Sequence, residues 1–331
     1  MSIATEITRL QTAKSDIKSA IQAKGVTVPV SATIDTYDDY VSLISGDSED
    51  LKKMIERSAT SIAIPSGTTT IGDYAFYYYS GLTSVSIPDS VASIGHQAFM
   101  YCNGLTSITI PSGVTSIDSG AFQYCSGLTS IEIPNSVTSI GLSILSSCSS
   151  LSSITISSGI TTIPYGTFSS CNSIRSVGLV GSGASVEIPN SITRIDGAFG
   201  SCVNIISVSL PDSVTSLGSA TFRFCSGITS VSLSSNITII DSQCFYGCTK
   251  LTSIVFPSSI TSIGGNAFYN CTSLTSVTVN RTTPPTLGSN AFYNTPIANG
   301  TGYIYVPSAS VNTYKTTSGW STYASRIQAI P

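Results

Sequence analysis

An Ala-Phe dipeptide recurs along most of this chain at a nearly constant interval. Its phenylalanine slot is filled by Phe76, Phe99, Phe122, Leu145, Phe168, Phe199, Phe222, Phe245, Phe268 and Phe292, mostly in steps of 23 residues, with one step of 31 and a last step of 24. Periodicity of this kind overrides the usual expectation that 331 residues make two or three globular domains. One unit cannot bury its own apolar face, whereas stacked units can, so the chain is expected to wind into a solenoid.

The unit reads L-T-S-I-x-I-P-x-S-V-T-S-I-G-x-x-A-F-x-x-C-x-x. In the copy Leu105–Ile110, Ile108 and Ile110 alternate with Thr109, the pattern of a short strand with one buried face. Pro111 cannot donate to a ladder and ends the strand. Val114 and Ile117 then point inward from a second extended segment. The glycine slot, filled by Gly95, Gly141, Gly218 and Gly264, is read as a turn, and the Ala-Phe segment as a short helical turn that seats the ring in the core. Strands stacking at ~4.8 Å per coil would give a rod on the order of 50 Å long.

Together these residues resemble the BspA-like leucine-rich repeats over positions 61 to 331, because strand, Pro, Val-x-x-Ile-Gly, Ala-Phe and Cys recur together. The resemblance implies a mainly β protein, a leucine-rich-repeat β-solenoid of about nine or ten coils used for adhesion or recognition. The expected organisation is a helical attachment or oligomerisation segment at 1–46, a capping helix at 47–60, the solenoid at 61–280 and a β/α cap at 281–331.

Composition narrows the partners. Charged residues make up 9% and hydrophobic residues 41%, with a net charge of −3. Disorder goes with low hydrophobicity and high net charge, so this chain folds. Ser and Thr stand where charges usually do, leaving no basic footprint for nucleic acid or anionic membranes. Glu6, Arg9, Lys14, Asp16 and Lys18 interrupt any signal-peptide core, and no apolar run approaches ~18 residues, so neither a leader nor membrane insertion is expected.

Catalytic chemistry finds no constellation. His96 is the sole histidine and occupies a variable slot beside Gly95, so a metalloprotease motif is absent and any triad would depend on it alone. Eight of nine cysteines stand three residues after the phenylalanine slot: Cys102, Cys125, Cys148, Cys171, Cys202, Cys225, Cys248 and Cys271. Equivalent slots in stacked coils point their side chains in parallel, which suits neither disulfides nor a tetrahedral metal site. A reduced, buried row is expected, with no cofactor and no metal.

Three surfaces stand above the repeat background. Tyr77, Tyr78, Tyr101 and Tyr124 in the first coils, and Tyr246 and Tyr269 in the last, form a candidate ligand surface, read either as an interface or as a half-buried stacking edge. The strand face carries Ser84, Ser107, Ser130, Ser153 and their equivalents, either a hydroxyl row for a glycan or residues that suit exposed strands. The long step places extra residues within Val180–Glu187; Gly181, Ser182, Gly183, Ala184 and Ser185 form a candidate protruding loop or small hairpin.

At the N-terminus, Ile3, Ile7, Leu10, Ile17 and Ile21 form a narrow helical seam, a candidate attachment or homo-oligomer contact. The stretch Ile7–Ile44 resembles the opening of phage tail-associated and fibre-like proteins. That resemblance implies a virion protein that attaches through residues 1–46 and presents its solenoid to a bacterial surface glycan or protein. The alternatives are a structural virion protein and a cellular BspA-like surface adhesin. At the C-terminus, Tyr303–Val306 reads as the final strand, Ser308 or Ser310 as the cap of a helix carrying Val311 and Tyr314, and Trp320 either as a lid on the last coil or as a ligand anchor.

Overall fold

The structure, a computed structural model, describes residues 59–177 and 185–331. The seam of Ile3, Ile7, Leu10, Ile17 and Ile21, the helix expected before residue 59, and Gly181 to Ala184 lie outside the described residues.

Coil stacks on coil in parallel register. On one side Ser61 pairs with Ser84, Ser130 with Ser153, Ser207 with Ser230, and Ser253 with Ser276, and the central residue of each triplet turns inward. On a second side two-residue strands stack, each ending on an apolar residue, as in Thr70–Ser93–Ser116–Ser139 and Arg194–Ser216–Ile239–Ser262–Thr286. The repeat pairing therefore continues past residue 280. The strand Tyr303–Val306 extends the first ladder beyond the last Ala-Phe slot, which brings the solenoid to about eleven coils rather than nine or ten. One expected strand is missing. Leu105–Ile110 forms no regular strand, although Leu105, Ile108 and Ile110 are all buried.

The Ala-Phe segment is not a turn of helix. Alternate N–H groups reach into the next coil, as Tyr74 N to His96 O, Phe76 N to Ala98 O and Tyr78 N to Met100 O. Those between close tight turns, as Tyr77 N to Tyr74 O and Tyr79 N to Phe76 O. This alternation places a left-handed residue two before and two after each phenylalanine slot, among them Gln97 and Tyr101 around Phe99, and Asn266 and Asn270 around Phe268. Gly95 itself has an ordinary φ. It is needed for contact instead, since a Cβ there would stand 2.8 Å from the Asp73 backbone nitrogen of the preceding coil.

The interlocked arcs bury the rings in a file. Phe199, Phe222, Phe245 and Phe268 are fully buried and stack at centroid separations of 5.4, 5.3 and 5.2 Å. Ser and Thr supply the glue between coils. The hydroxyls of Thr129, Thr229 and Thr275 donate to the carbonyl of the equivalent residue one coil earlier, at 3.1, 3.2 and 3.3 Å. Thr215, Thr238 and Thr261 do the same on the second side, at 3.3, 3.1 and 3.0 Å. Hydroxyls that tie coils together explain how so uncharged a chain builds a regular stack.

The long step resolves into two changes of opposite sign. Ile163 pairs with Ile195, 32 positions on, and Ile195 with Leu217, only 22 on. Nine residues are thus inserted before Ile195 and one is missing after it. The insertion is not a hairpin. Ser185–Val186 enters the first ladder as an extra strand parallel to Ser176–Val177 and next to Ile154, so Ser185 belongs to the sheet and not to a loop.

The C-terminal cap closes the stack. Helix Val311–Thr316 begins after Ser310, whose side chain makes no capping bond. Tyr314 is buried and its hydroxyl donates to Arg281 O at 2.7 Å. The last strand is Ile327–Ala329, paired with Tyr303–Val306. Trp320 is fully buried and donates from Nε1 to Pro285 O at 2.7 Å, so it is a lid and not a ligand anchor.

Candidate functional site

The arc built around the phenylalanine file presents a second, outer file of aromatics. Two residues after the slot, Tyr78, Tyr101 and Tyr124 stack in parallel at 4.3 and 4.6 Å, with Tyr78 46% and Tyr124 37% exposed. One residue after the slot, Tyr246, Tyr269 and Tyr293 stack at 4.9 and 4.7 Å. The first-coil and last-coil tyrosines thus form two files in different registers, not one surface. Tyr77 meets Tyr78 edge-on at 4.6 Å, whereas Tyr79 turns into the core against Phe76.

Stacking decides what these ladders can offer. Each inner ring has both faces covered by its neighbours, so the ladders present ring edges and phenol oxygens spaced by one coil. At one end of each file the last ring is met edge-on, Tyr78 by Tyr77 and Tyr246 by Phe224. Desolvation, the hydrogen bond to Tyr78 and repulsion from the other phenols hold the Tyr101 hydroxyl above its ordinary pKa.

Tyr78, Tyr101, Tyr124 and Phe224 all sit at positive φ, between 60° and 65°. In other coils the same slot carries Ser147, Ser170, Ser201, Gly247, Asn270 or Asn294. Gly and Asn adopt this conformation at little cost, whereas a bulky aromatic is held in it by the hydrogen bonding of the arc, which imposes positive φ on this slot in every coil. Between the ladders the arc carries Ser and Gly, flanked by Tyr165 and Phe224, both partly exposed. Tyr165 was missed because it stands alone, three residues before its slot, with no periodic partner.

The other candidate surfaces offer less. On the strand face Ser84 Oγ donates to Ser61 Oγ at 2.8 Å, a coil-to-coil bond like those of the threonines. His96 packs edge-on against Tyr74 at 5.3 Å. Among the described residues no group of His, Cys, Asp and Glu could hold a metal ion, and no helix is long and apolar enough to cross a membrane.

The cysteines form an inner ladder of free thiols, all buried. Each in the periodic row donates from Sγ to the carbonyl of the slot residue 26 positions earlier, or 34 at the insertion, as Cys125 to Phe99 O at 3.0 Å and Cys202 to Phe168 O at 2.9 Å. Cys244, outside the row, takes the alanine position beside Phe245. Burial pushes the thiols up, to about 12 at Cys102, Cys202 and Cys271. Folded thiols thus keep protons that unfolded thiols lose from about pH 8.5. Their contribution to stability is complete below that pH and is lost as pH rises towards 12. The expected result is that a disulfide reagent at about pH 8 modifies none of the nine thiols in the folded chain and all nine after denaturant unfolding. Rapid modification of even one row cysteine in the native protein would overturn the buried-ladder account.

The family model for the BspA type leucine rich repeat region matches residues 55–177 and 182–299. The chain belongs to this family. Among solved structures, it is similar to a leucine rich cell surface protein of Faecalibacterium prausnitzii, 30% identical over 78% of this chain and 83% of that one, with a TM-score of 0.40. It is similar also to a leucine-rich repeat protein of Bacteroides ovatus, 25% identical over 84% and 85%, TM-score 0.40. The pneumococcal vaccine antigen PcpA is 18% identical over 83% and 88%, TM-score 0.42. No curated protein matches the chain. The BspA-type unit accounts for the strand, the Ala-Phe arc and the cysteine row, and leaves the outer aromatics to vary from coil to coil.

Proposed function

We propose that this BspA-type chain is a non-enzymatic recognition protein, a surface adhesin that binds a cell-surface glycan or protein along the outer edge of its solenoid. The carrying observation is the exposed file Tyr78–Tyr101–Tyr124, held at left-handed backbone positions that other coils fill with Ser, Gly or Asn. Tyrosine joins apolar area to a polar tip at low entropic cost, which suits it to interfaces. A row of phenol oxygens at coil spacing fits an extended polymer laid along the solenoid axis. Display at a cell surface agrees with the description of the relative that shares 30% identity by sequence. Placement on a virion, through residues 1–46, rests on the resemblance of that segment alone.

The test is binding of the labelled full-length chain to intact bacterial and host cells, beside a variant carrying Tyr78→Asn, Tyr101→Asn and Tyr124→Asn. Saturable binding to some cells is expected, reduced at least ~10-fold in the variant, a loss of about 1.4 kcal/mol. Because Asn tolerates positive φ, relief of strain offsets the lost stacking, and the variant should melt no lower than wild type. Undiminished binding by the variant would remove the ladder from the site, and no binding to any cell by wild type would defeat the adhesin reading.

A further inference from the structure

The missing residue in the coil of Phe199 opens the arc at one place. Elsewhere five positions separate the second-ladder apolar residue from the slot, as Ile163 from Phe168 and Leu217 from Phe222, but only four separate Ile195 from Phe199. At this shortened corner Gly197 sits under the ring of Tyr165, which any Cβ there would overlap. Tyr165 is left 57% exposed. The result is a shallow groove of about 120 Å³ lined by Tyr165, Ser169, Ser170, Gly200, Arg223 and Phe224, among others. That is room for several waters, or for part of one sugar ring.

The groove holds a cation without an anion. The Arg223 guanidinium lies 4.5 Å from the Phe224 ring centroid and 5.5 Å from that of Tyr246. Its Nε is buried with no hydrogen-bond partner. The acid in the shortened corner, Asp196, is already bonded to Arg194 Nε at 2.7 Å. Arginine clamped on aromatic rings with donors to spare is suited to a planar carboxylate. The seryl floor supplies hydroxyls, and Tyr165 and Phe224 supply exposed aromatic surface that the stacked ladders lack.

We infer that this groove is a subsite for a carboxylate-bearing sugar residue of an acidic glycan, its carboxylate meeting Arg223 and its ring lying against Tyr165 and the seryl floor. The inference rests on the recognition reading but not on the Tyr78–Tyr101–Tyr124 file.

The probe is trigalacturonic acid, titrated calorimetrically into the full-length chain, with its methyl ester as the uncharged counterpart. Binding of the acid is expected, at least ~10-fold weaker for the ester and for Arg223→Gln, and partly kept by Arg223→Lys. Tyr165→Ala, at an exposed ring, should weaken binding as well and gives the same reading if Arg223→Gln fails to fold. No binding of the acid, equal binding of the ester, or binding unchanged by both Arg223→Gln and Tyr165→Ala would overturn the proposal. Cell binding by the same wild-type preparation then separates the failures: cells bound without the acid leave the adhesin reading intact and remove only the groove.

Discussion

Phe222→Ala lowers the unfolding free energy by about 3–5 kcal/mol. The ring is fully buried and stacked between Phe199 and Phe245, at interplanar angles of 6° and 16°. The vacancy cannot close readily, because the arc backbone is pinned to the next coil by Phe222 N to Cys244 O at 2.7 Å and Phe224 N to Tyr246 O at 2.7 Å. Each coil touches only its neighbours, so a central defect should also broaden the transition by uncoupling the coils on either side. Phe224→Ala, two residues away and 41% exposed, is the control and should cost far less. Urea denaturation followed by circular dichroism reads both. A loss below about 1.5 kcal/mol for Phe222→Ala, the cost of milder core changes, would show that the arc collapses around the gap and that the ring file is not rigid.

Trp320→Ala frays the solenoid from its C-terminal end, with a local loss of about 3–5 kcal/mol. The indole is fully buried, lies 5.1 Å edge-on to Tyr314 and covers Phe292 at 6.4 Å. Its removal also orphans the Pro285 carbonyl, worth a further ~1–3 kcal/mol if that group stays dry. A terminal defect opens the end of a one-dimensional stack without splitting it. Hydrogen exchange should therefore quicken across Ser276–Val279 and Tyr303–Val306 while Ser130–Glu132 and Ser153–Thr155 keep their protection. Trp320→Phe keeps most of the packing and loses only the hydrogen bond, so it should fall between wild type and Trp320→Ala. Uniformly faster exchange along the chain would mean that the cap sustains the whole stack and not only its last coils.

Much of the fold was legible because a solenoid writes its contacts into its period. The inward positions of Leu105, Val114, Ile117 and Phe122 and the reduced cysteine row follow from side-chain direction and repetition, which need no distant partner to interpret. The arc was misread as helical because Ala-Phe flanked by polar residues has no 3.6-residue span in which to declare itself. Its alternating left-handed residues include Tyr101 and Gln97, types that give no warning of positive φ. Gly95 was assigned to a turn for its flexibility, when its task is to lack a Cβ at a coil contact.

The candidate site divides in the same way. That aromatics follow the slot was visible in sequence, and so was the long step. Whether Tyr77, Tyr78 and Tyr79 face outward, sideways or inward depends on the backbone twist between neighbours, and only the folded arc decides it. The net excess of eight residues hid a nine-residue insertion and a one-residue deletion, because counting from Phe168 to Phe199 cannot say where along the coil each falls; strand register can.

Repetition in the sequence alone thus determined that the chain is a stacked β-solenoid with a phenylalanine and cysteine interior, since every coil meets the same environment and buries the same positions. The tertiary structure alone decided which exposed groups come together. The tyrosine file joins residues 23 apart, and Tyr165 meets Gly197 where one coil is a residue short, in a groove that Arg223 of the next coil also lines.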